Sequence, residues 1–511
     1  MSIRKVLSSS LIGVLLSAGS IAAQDAAVRE IELPERGVGA GLDHVTFYNS
    51  YFAFSDALKH ARWINVAGWN EYGFPTAANP GETVRARMGV GSGEQLPAGE
   101  YTLMWMGEGS IEVTRSNPTL VSEDLSGEIK RRVYQMDPDD YGVEVEITGY
   151  PIERAKLAPP GLADHASLWN PAYVAAVEPF SDGPLRFMDM NRTNHSAQRE
   201  WSDRTPYNWS SYTNNNHDNC APWPIKGSVA YEAMIELCNE VGADMWVTVP
   251  HMATDEYVAN LAHLIRTGVD RATGEQTTQP LREDLRVWIE YSNEVWNWNF
   301  RQSNWVNDNI KTGSNIDERY AHRSRELFRI FEREFDGLDR LVRLIGTQTG
   351  FGDARRTRQR LGYLDRSDYD VLGVTTYFEH GIRQWIYDNP EATPEAVIDE
   401  WLRRVGTGPF QEREPNFENE KDAEEMIASR EFDVPVVAYE GGDHLNPVGR
   451  IDTDGDGRKD SQLTKERDDA VEFIHAVMRH PRIKEVYKAY LDRHHASALK
   501  LHMVFVLVGN W

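Results

Sequence analysis

The sequence predicts an α/β barrel of eight parallel strands that carries an inserted antiparallel β-domain. Three observations predict it. Apolar, β-prone runs alternate with amphipathic helical runs over most of the 511 residues, the pattern of a parallel sheet covered by helices. Between about 81 and 155 that pattern gives way to strict apolar–polar alternation. Two β-prone runs, Trp288-Ile289-Glu290-Tyr291-Ser292-Asn293-Glu294 and Val436-Val437-Ala438-Tyr439-Glu440-Gly441-Gly442, end in a glutamate among polar and aromatic residues. The length is large for one domain, but a barrel with an insertion reaches it.

The N-terminus reads as an export signal over 1–23. Arg4 and Lys5 precede the apolar stretch 6–18, then come small residues, with Ser20 and Ala22 at the −3 and −1 positions of a cut. The apolar stretch is shorter than the ~20 residues of a membrane span, so no membrane anchor is expected. The barrel begins over 24–80, with a first strand at 38–43 and an amphipathic helix at 52–63. The insertion, 81–155, thus falls between the first helix and the second strand. In it Val84, Ala86 and Met88 alternate with Arg85 and Arg87, and Val143, Val145 and Ile147 with Glu144 and Glu146.

The remaining barrel occupies 156–511. Strands are expected at 185–188, 244–249, 286–291, 341–346, 371–376, 434–439 and 501–508. Helices are expected at 229–241, 254–267, 317–335, 394–404 and 466–480. A complete barrel places a helix after its eighth strand. The C-terminus is therefore expected either to be truncated or to dispense with that helix.

Composition narrows the function classes. Apolar residues make up 41% of the chain and aromatic ones 10%, enough for a large core. Lys and Arg total 54 against 79 Asp and Glu, a formal charge of −25 that repels nucleic acid, anionic lipid and polyanionic glycans. Neutral or weakly charged substrates are favoured. The two cysteines, Cys220 and Cys238, either pair in an oxidising compartment or stay as thiols, and spacing does not decide between these.

In barrel enzymes the residues just past the strand ends face the substrate. Here those ends carry Arg186 and Asp189, His251, Asn293 and Glu294, Gln348, Tyr377, Glu440, and Trp511. Two carboxylates on separate strand ends are what glycosidic bond cleavage needs, one to protonate the leaving oxygen and one to attack or to activate water. Glu294 and Glu440 are the expected pair. Glu290 is the competing acid on strand four, but its place inside the strand suits a structural partner better, and Glu379 and Asp443 are lesser rivals. Trp296, Trp298, Phe300 and Trp305 follow Glu294, while Trp201 and Trp209 lie in the polar loop after strand two and are expected as exposed platforms.

An Asn-Glu pair after strand four, a Tyr after strand six and a Glu after strand seven resemble the clan A retaining glycoside hydrolases. The resemblance covers the barrel but not the insertion. It implies Glu294 as acid/base, Glu440 as nucleophile, Asn293 on the sugar 2-hydroxyl, and Tyr377 and Arg186 beside the nucleophile. Arg192 and Arg204 lie close by in sequence and compete for that last role. The resemblance also places Trp511 as a stacking aromatic and His251 as a substrate contact. Independently of it, Trp296 and Trp298 follow Glu294 closely and are expected to supply the apolar wall that raises a general acid, or to stack a sugar ring. The rival readings are a non-catalytic glycan-binding barrel and an inverting glycosidase with its carboxylates further apart.

One further motif stands apart. Asp452, Asp454, Asp456, Arg458 and Asp460 occupy positions 1, 3, 5, 7 and 9 of a calcium loop of EF-hand type, with Gly457 at position 6. Leu463 stands where the bidentate Glu belongs. A structural calcium ion is the expectation, and no cofactor is expected in catalysis.

Overall fold

The structure, a computed structural model, describes residues 28–34, 37–91, 96–213, 227–347, 355–406, 431–495 and 499–507. The expected leader, Cys220, Gln348 and Trp511 lie outside the described residues.

Eight parallel strands close into a barrel in chain order. They are Gly37–Leu42, Leu185–Arg186, Met245–Val249, Val287–Tyr291, Leu341–Gly346, Val371–Phe378, Val436–Asp443 and Leu501–Leu507, called strands one to eight below. Strand eight pairs with strand one, Gly37 facing Leu501, and this closes the ring.

Alternation along each strand sorts the side chains. Trp246, Trp288, Val342, Leu344, Val371, Val437, Tyr439, Leu501 and Met503 form one buried cluster inside the barrel. Their neighbours Met245, Val247, Val287, Ile289, Leu372, Val374, Val436 and Ala438 join the larger core under the helices. The two inward indoles, Trp246 and Trp288, stack at 5.1 Å. The same parity turns Arg186, Glu290 and Tyr377 toward the axis.

The helices have clear local causes. Asp255–Thr267 starts on Thr254, whose hydroxyl accepts from the Tyr257 amide, and stops at Gly268, which adopts φ 71° as a left-handed cap. Ile316–Phe335 starts on the Asn315 side chain. Tyr231–Val241, Pro394–Gly406 and Ala470–Met478 fill the other expected helical stretches. No helix among the described residues is long and apolar enough to cross a membrane.

The 52–63 segment differs from expectation. Only Ala57–His60 is helical, as a single 3-10 turn, and Arg62–Ile64 then joins a sheet against Val84–Met88. Phe52, Leu58, Ala61 and Trp63 are apolar because they feed the β-domain core, not because they share a helix face. The first α-helix is Pro171–Val177, so the insertion lies between strand one and that helix. The insertion consists of two four-stranded antiparallel sheets that share one core, in which Val84, Ala86, Met88, Tyr101, Leu103, Trp105, Val143, Val145 and Ile147 are buried.

Candidate active site

The inward register places a hydrogen-bonded cluster at the carboxyl ends of strands two, four, six and seven. Its centre is Arg186, 1% exposed. The guanidinium donates to both oxygens of Glu290, Nε to Oε2 at 3.0 Å and Nη2 to Oε1 at 3.1 Å. It also donates through Nη1 to Glu440 Oε2 at 3.1 Å and through Nη2 to Asn293 Oδ1 at 2.8 Å. The Trp246 indole N–H donates to Glu290 Oε2 at 2.9 Å, and the Tyr377 hydroxyl donates to Glu440 Oε1 at 3.1 Å. Glu290 is thus the anchor that holds Arg186, as its position inside the strand suggested. Removing it leaves a buried cation short of one partner. Glu290→Gln is expected to lower stability by about 3 kcal/mol in chemical denaturation.

Two backbone irregularities aim the glutamates. On strand seven the pairing with strand six shifts between Ala438 and Glu440. Tyr439 already points inward, so strict alternation would send Glu440 out toward the helices. The bulge turns it back to Arg186 instead. After strand four, Ser292 and Glu294 both take positive φ, 60° and 43°. Such conformations are unfavourable for residues with a Cβ and survive where the surroundings enforce them. They let Asn293 and Glu294 both turn toward the cluster.

The electrostatics separate the two glutamates. Burial, and then the charge of Glu440, push the Glu294 carboxyl up to about 8. Its one hydrogen-bond donor among the described residues is Asn297 Nδ2 at 2.9 Å, a neutral amide. Burial also pushes Glu440 up, but Arg186 and the Tyr377 hydroxyl oppose that push. A single proton shared between them therefore belongs on Glu294. Asp189, beside Asp43 and His44 at the ends of strands one and two, is raised to about 7, chiefly by burial. His44 Nδ1 lies 2.6 Å from Asp43 Oδ1.

Arg192 and Arg204 do not compete with Arg186. Arg192 donates to the carbonyls of Gly227 and Val45, and Arg204 pairs with Glu232 at 3.1 Å and Asp270 at 2.5 Å. Glu379 pairs with Arg383 at 3.2 Å, and Asp443 accepts from Tyr487. His251 continues the outward parity of strand three. It is 2% exposed, sits edge-on to Trp305 at 5.6 Å and feels mainly burial, which lowers it to about 3. Trp296 is half-buried and Trp298 stands 52% exposed, so the lift on Glu294 comes from burial and Glu440 together. Trp201, expected as an exposed platform, is buried, with its N–H on Asp270 and its ring under Arg204.

The sequence reading missed the support behind Asn293. Asn293 Nδ2 donates to Asn194 Oδ1 at 3.1 Å, and Gln302, fully buried, donates to both Asn194 Oδ1 (2.6 Å) and the Asn293 carbonyl (2.9 Å). A glutamine on the buried face of a short helix was the available signal.

In the acidic loop the carboxylates of Asp452, Asp454 and Asp456 lie within 4.8 Å of one another. The loop is the tip of a hairpin, Arg450–Ile451 against Ser461–Gln462. Asp460 is turned away to Thr453, whose N–H and hydroxyl it accepts at 2.9 and 2.8 Å. Glu466 accepts from Ser461, and Arg458 has only its carbonyl to offer a cation.

No protein-family model and no curated protein matches the sequence. Among solved structures the chain is similar to the GH51 arabinofuranosidase from Xanthomonas axonopodis pv. citri, with 13% identity and a TM-score of 0.37 over 66% of this chain and 60% of that one. It is also similar to the hyperthermostable endo-1,4-beta-D-mannanase from Thermotoga petrophila RKU-1, with 10% identity and a TM-score of 0.28 over 66% of this chain and 84% of that one. The chain therefore spans about three fifths of the arabinofuranosidase.

Proposed function

We propose that this chain is an exported glycoside hydrolase that cleaves neutral or weakly charged glycans with retention of anomeric configuration. One observation carries the reading. Two glutamates of opposite character stand at the ends of strands four and seven of one closed barrel: Glu294, raised to about 8 with a neutral amide as its donor among the described residues, and Glu440, held by Arg186 and Tyr377.

The chemistry follows from that contrast. Glu440 attacks the anomeric carbon while Glu294 protonates the departing oxygen, which leaves a glycosyl ester on Glu440. Forming the ester removes the negative charge that helped lift Glu294, so its proton affinity falls as its task changes from acid to base. Glu294 then takes a proton from water, and the water oxygen displaces Glu440. Asn293, oriented by Arg186 and Asn194, is placed to hold a sugar hydroxyl. The −25 charge favours substrates without their own anions.

The test is the stereochemistry of the first product, followed by proton NMR on a panel of aryl glycosides. Retention at the earliest times is expected. Inversion would assign Glu440 as the base for water and require carboxyl groups about 6.5–9.5 Å apart in place of about 5–5.5 Å.

Export rests on the leader at 1–23, and the mature chain recovered from the culture medium or periplasm is expected to lack it. The acidic loop is proposed to bind one calcium ion through Asp452, Asp454, Asp456 and the Arg458 carbonyl, with a structural role. Chelation is expected to lower Tm by a few degrees, reversed by calcium and not by magnesium. An Asp454→Asn variant whose Tm ignores calcium would support this assignment; an unchanged calcium response would refute it.

A further inference from the structure

Where the β-domain meets the loop after strand two there is a cavity of about 190 Å³ that shares no residue with the carboxylate cluster. Asp56 lies against it and is 9% exposed. Its Oδ1 accepts from the backbone amides of Leu58 and Leu157, both at 3.0 Å. Its Oδ2 has no hydrogen-bond partner among the described residues. Oδ2 is thus the acceptor that Asp56 presents to the cavity.

The neighbouring lysine does not donate to that oxygen. Lys59 also lines the cavity, yet its ammonium donates to the carbonyls of Tyr207 and Trp209 at 3.1 and 2.5 Å and sits over the Tyr212 ring at 4.3 Å. At the exposed edge, Arg154 lies over the Tyr72 ring at 4.0 Å, and its guanidinium N–H groups have no acceptor among the described residues. Phe74 and Leu168 supply apolar wall. The cavity therefore offers one carboxylate acceptor, a set of guanidinium donors at its mouth and apolar surface between them.

That combination suits a ring whose hydroxyls both donate and accept and whose C–H faces are apolar. At about 30 Å³ per water the space equals roughly six waters, on the scale of a single monosaccharide ring. We infer that this cavity is a second glycan-binding site, which takes one glycosyl unit of a neutral polysaccharide with a hydroxyl donating to Asp56 Oδ2 and another accepting from Arg154. The choice of ligand rests on the proposed glycoside hydrolase reading; the carboxylate acceptor and guanidinium donors do not. Such a site holds a polymer on the enzyme at a point separate from the reacting bond, so that the second contact becomes intramolecular.

The experiment uses the full chain and neutral oligosaccharides of glucose, mannose, xylose and arabinose, with binding read by saturation-transfer NMR and titration. Asp56→Asn keeps the Oδ1 acceptor for the two amides and replaces the free oxygen with a donor. Arg154→Ala removes the donors from an exposed position and does not threaten folding. Each is expected to weaken oligosaccharide binding by about tenfold while turnover of a small aryl glycoside stays unchanged. Binding that ignores both substitutions, or no binding by the wild-type chain, overturns the site. Binding sensitive to Asp56→Asn in a chain that hydrolyses no glycoside upholds the site and removes the hydrolase reading, so the two failures are distinct.

Discussion

Glu440→Gln is expected to fold as the wild type does and to lose at least about 10⁴-fold in kcat, because an amide cannot form the glycosyl ester. The structure makes the variant tolerable. Glutamine keeps an oxygen for the Tyr377 hydroxyl, and Arg186 retains both oxygens of Glu290. The loss should therefore fall on the chemical step, with oligosaccharide binding preserved and Tm changed by only a few degrees. Trapping with a fluorinated sugar, read by mass spectrometry, is expected to label Glu440 in the wild type and nothing in the variant. A variant that keeps full activity, or a label on another carboxylate, would remove Glu440 from the nucleophile's role.

Much of this arrangement was legible because it depends on pattern. The barrel strands are apolar runs at regular intervals, and the inward parity of a strand follows from its period of two. That parity brings Arg186, Glu290 and Tyr377 toward a common axis, where the resemblance had placed Arg186 and Tyr377. What pattern could not reach was the exceptions to it. Glu440 faces the site only because the ladder bulges between Ala438 and Glu440, and Glu294 only because Ser292 and Glu294 take positive φ. His251 follows plain alternation and ends against Trp305.

The insertion misled in another way. Phe52, Leu58, Ala61 and Trp63 are apolar residues in a segment expected to be helical, but their partners are strands that arrive later in the chain. Trp201 sits in a polar loop by sequence and is nonetheless buried, because Arg204, Glu232 and Asp270 neutralise one another around it. The Gln302–Asn194 contact was missed for a related reason. Their partnership with Asn293 needs the turn at Ser292; the buried glutamine marks that a partner is needed but does not say that the partner is 194.

Glu294→Gln should have the second large effect, and its pH dependence separates a catalytic role from a structural one. As the acid, Glu294 must hold its proton in the first step. Wild-type kcat/KM is therefore expected to fall as pH rises through about 8, and to fall on the acid side as Glu440 takes up a proton. The glutamine variant should lose the alkaline limb and about 10²–10⁴-fold in rate on substrates with poor leaving groups. Aryl glycosides whose leaving group departs without protonation should lose far less in the first step and stall at the ester, where a small anion such as azide, needing no base, should restore turnover. Stability moves the opposite way. The folded state holds the Glu294 proton up to about 8, whereas the unfolded chain releases it near 4.5. The folded state thus binds more protons between those values, and the wild type loses stability as pH climbs through that window. Glutamine never ionises, so the variant should lack that loss, and the difference in Tm between variant and wild type should widen from pH 5 to about pH 8 in the variant's favour. A variant that unfolds more easily than the wild type at pH 8, with the alkaline limb still present in its residual activity, would make Glu294 a structural residue and return the search for the acid to the other carboxylates of the cluster.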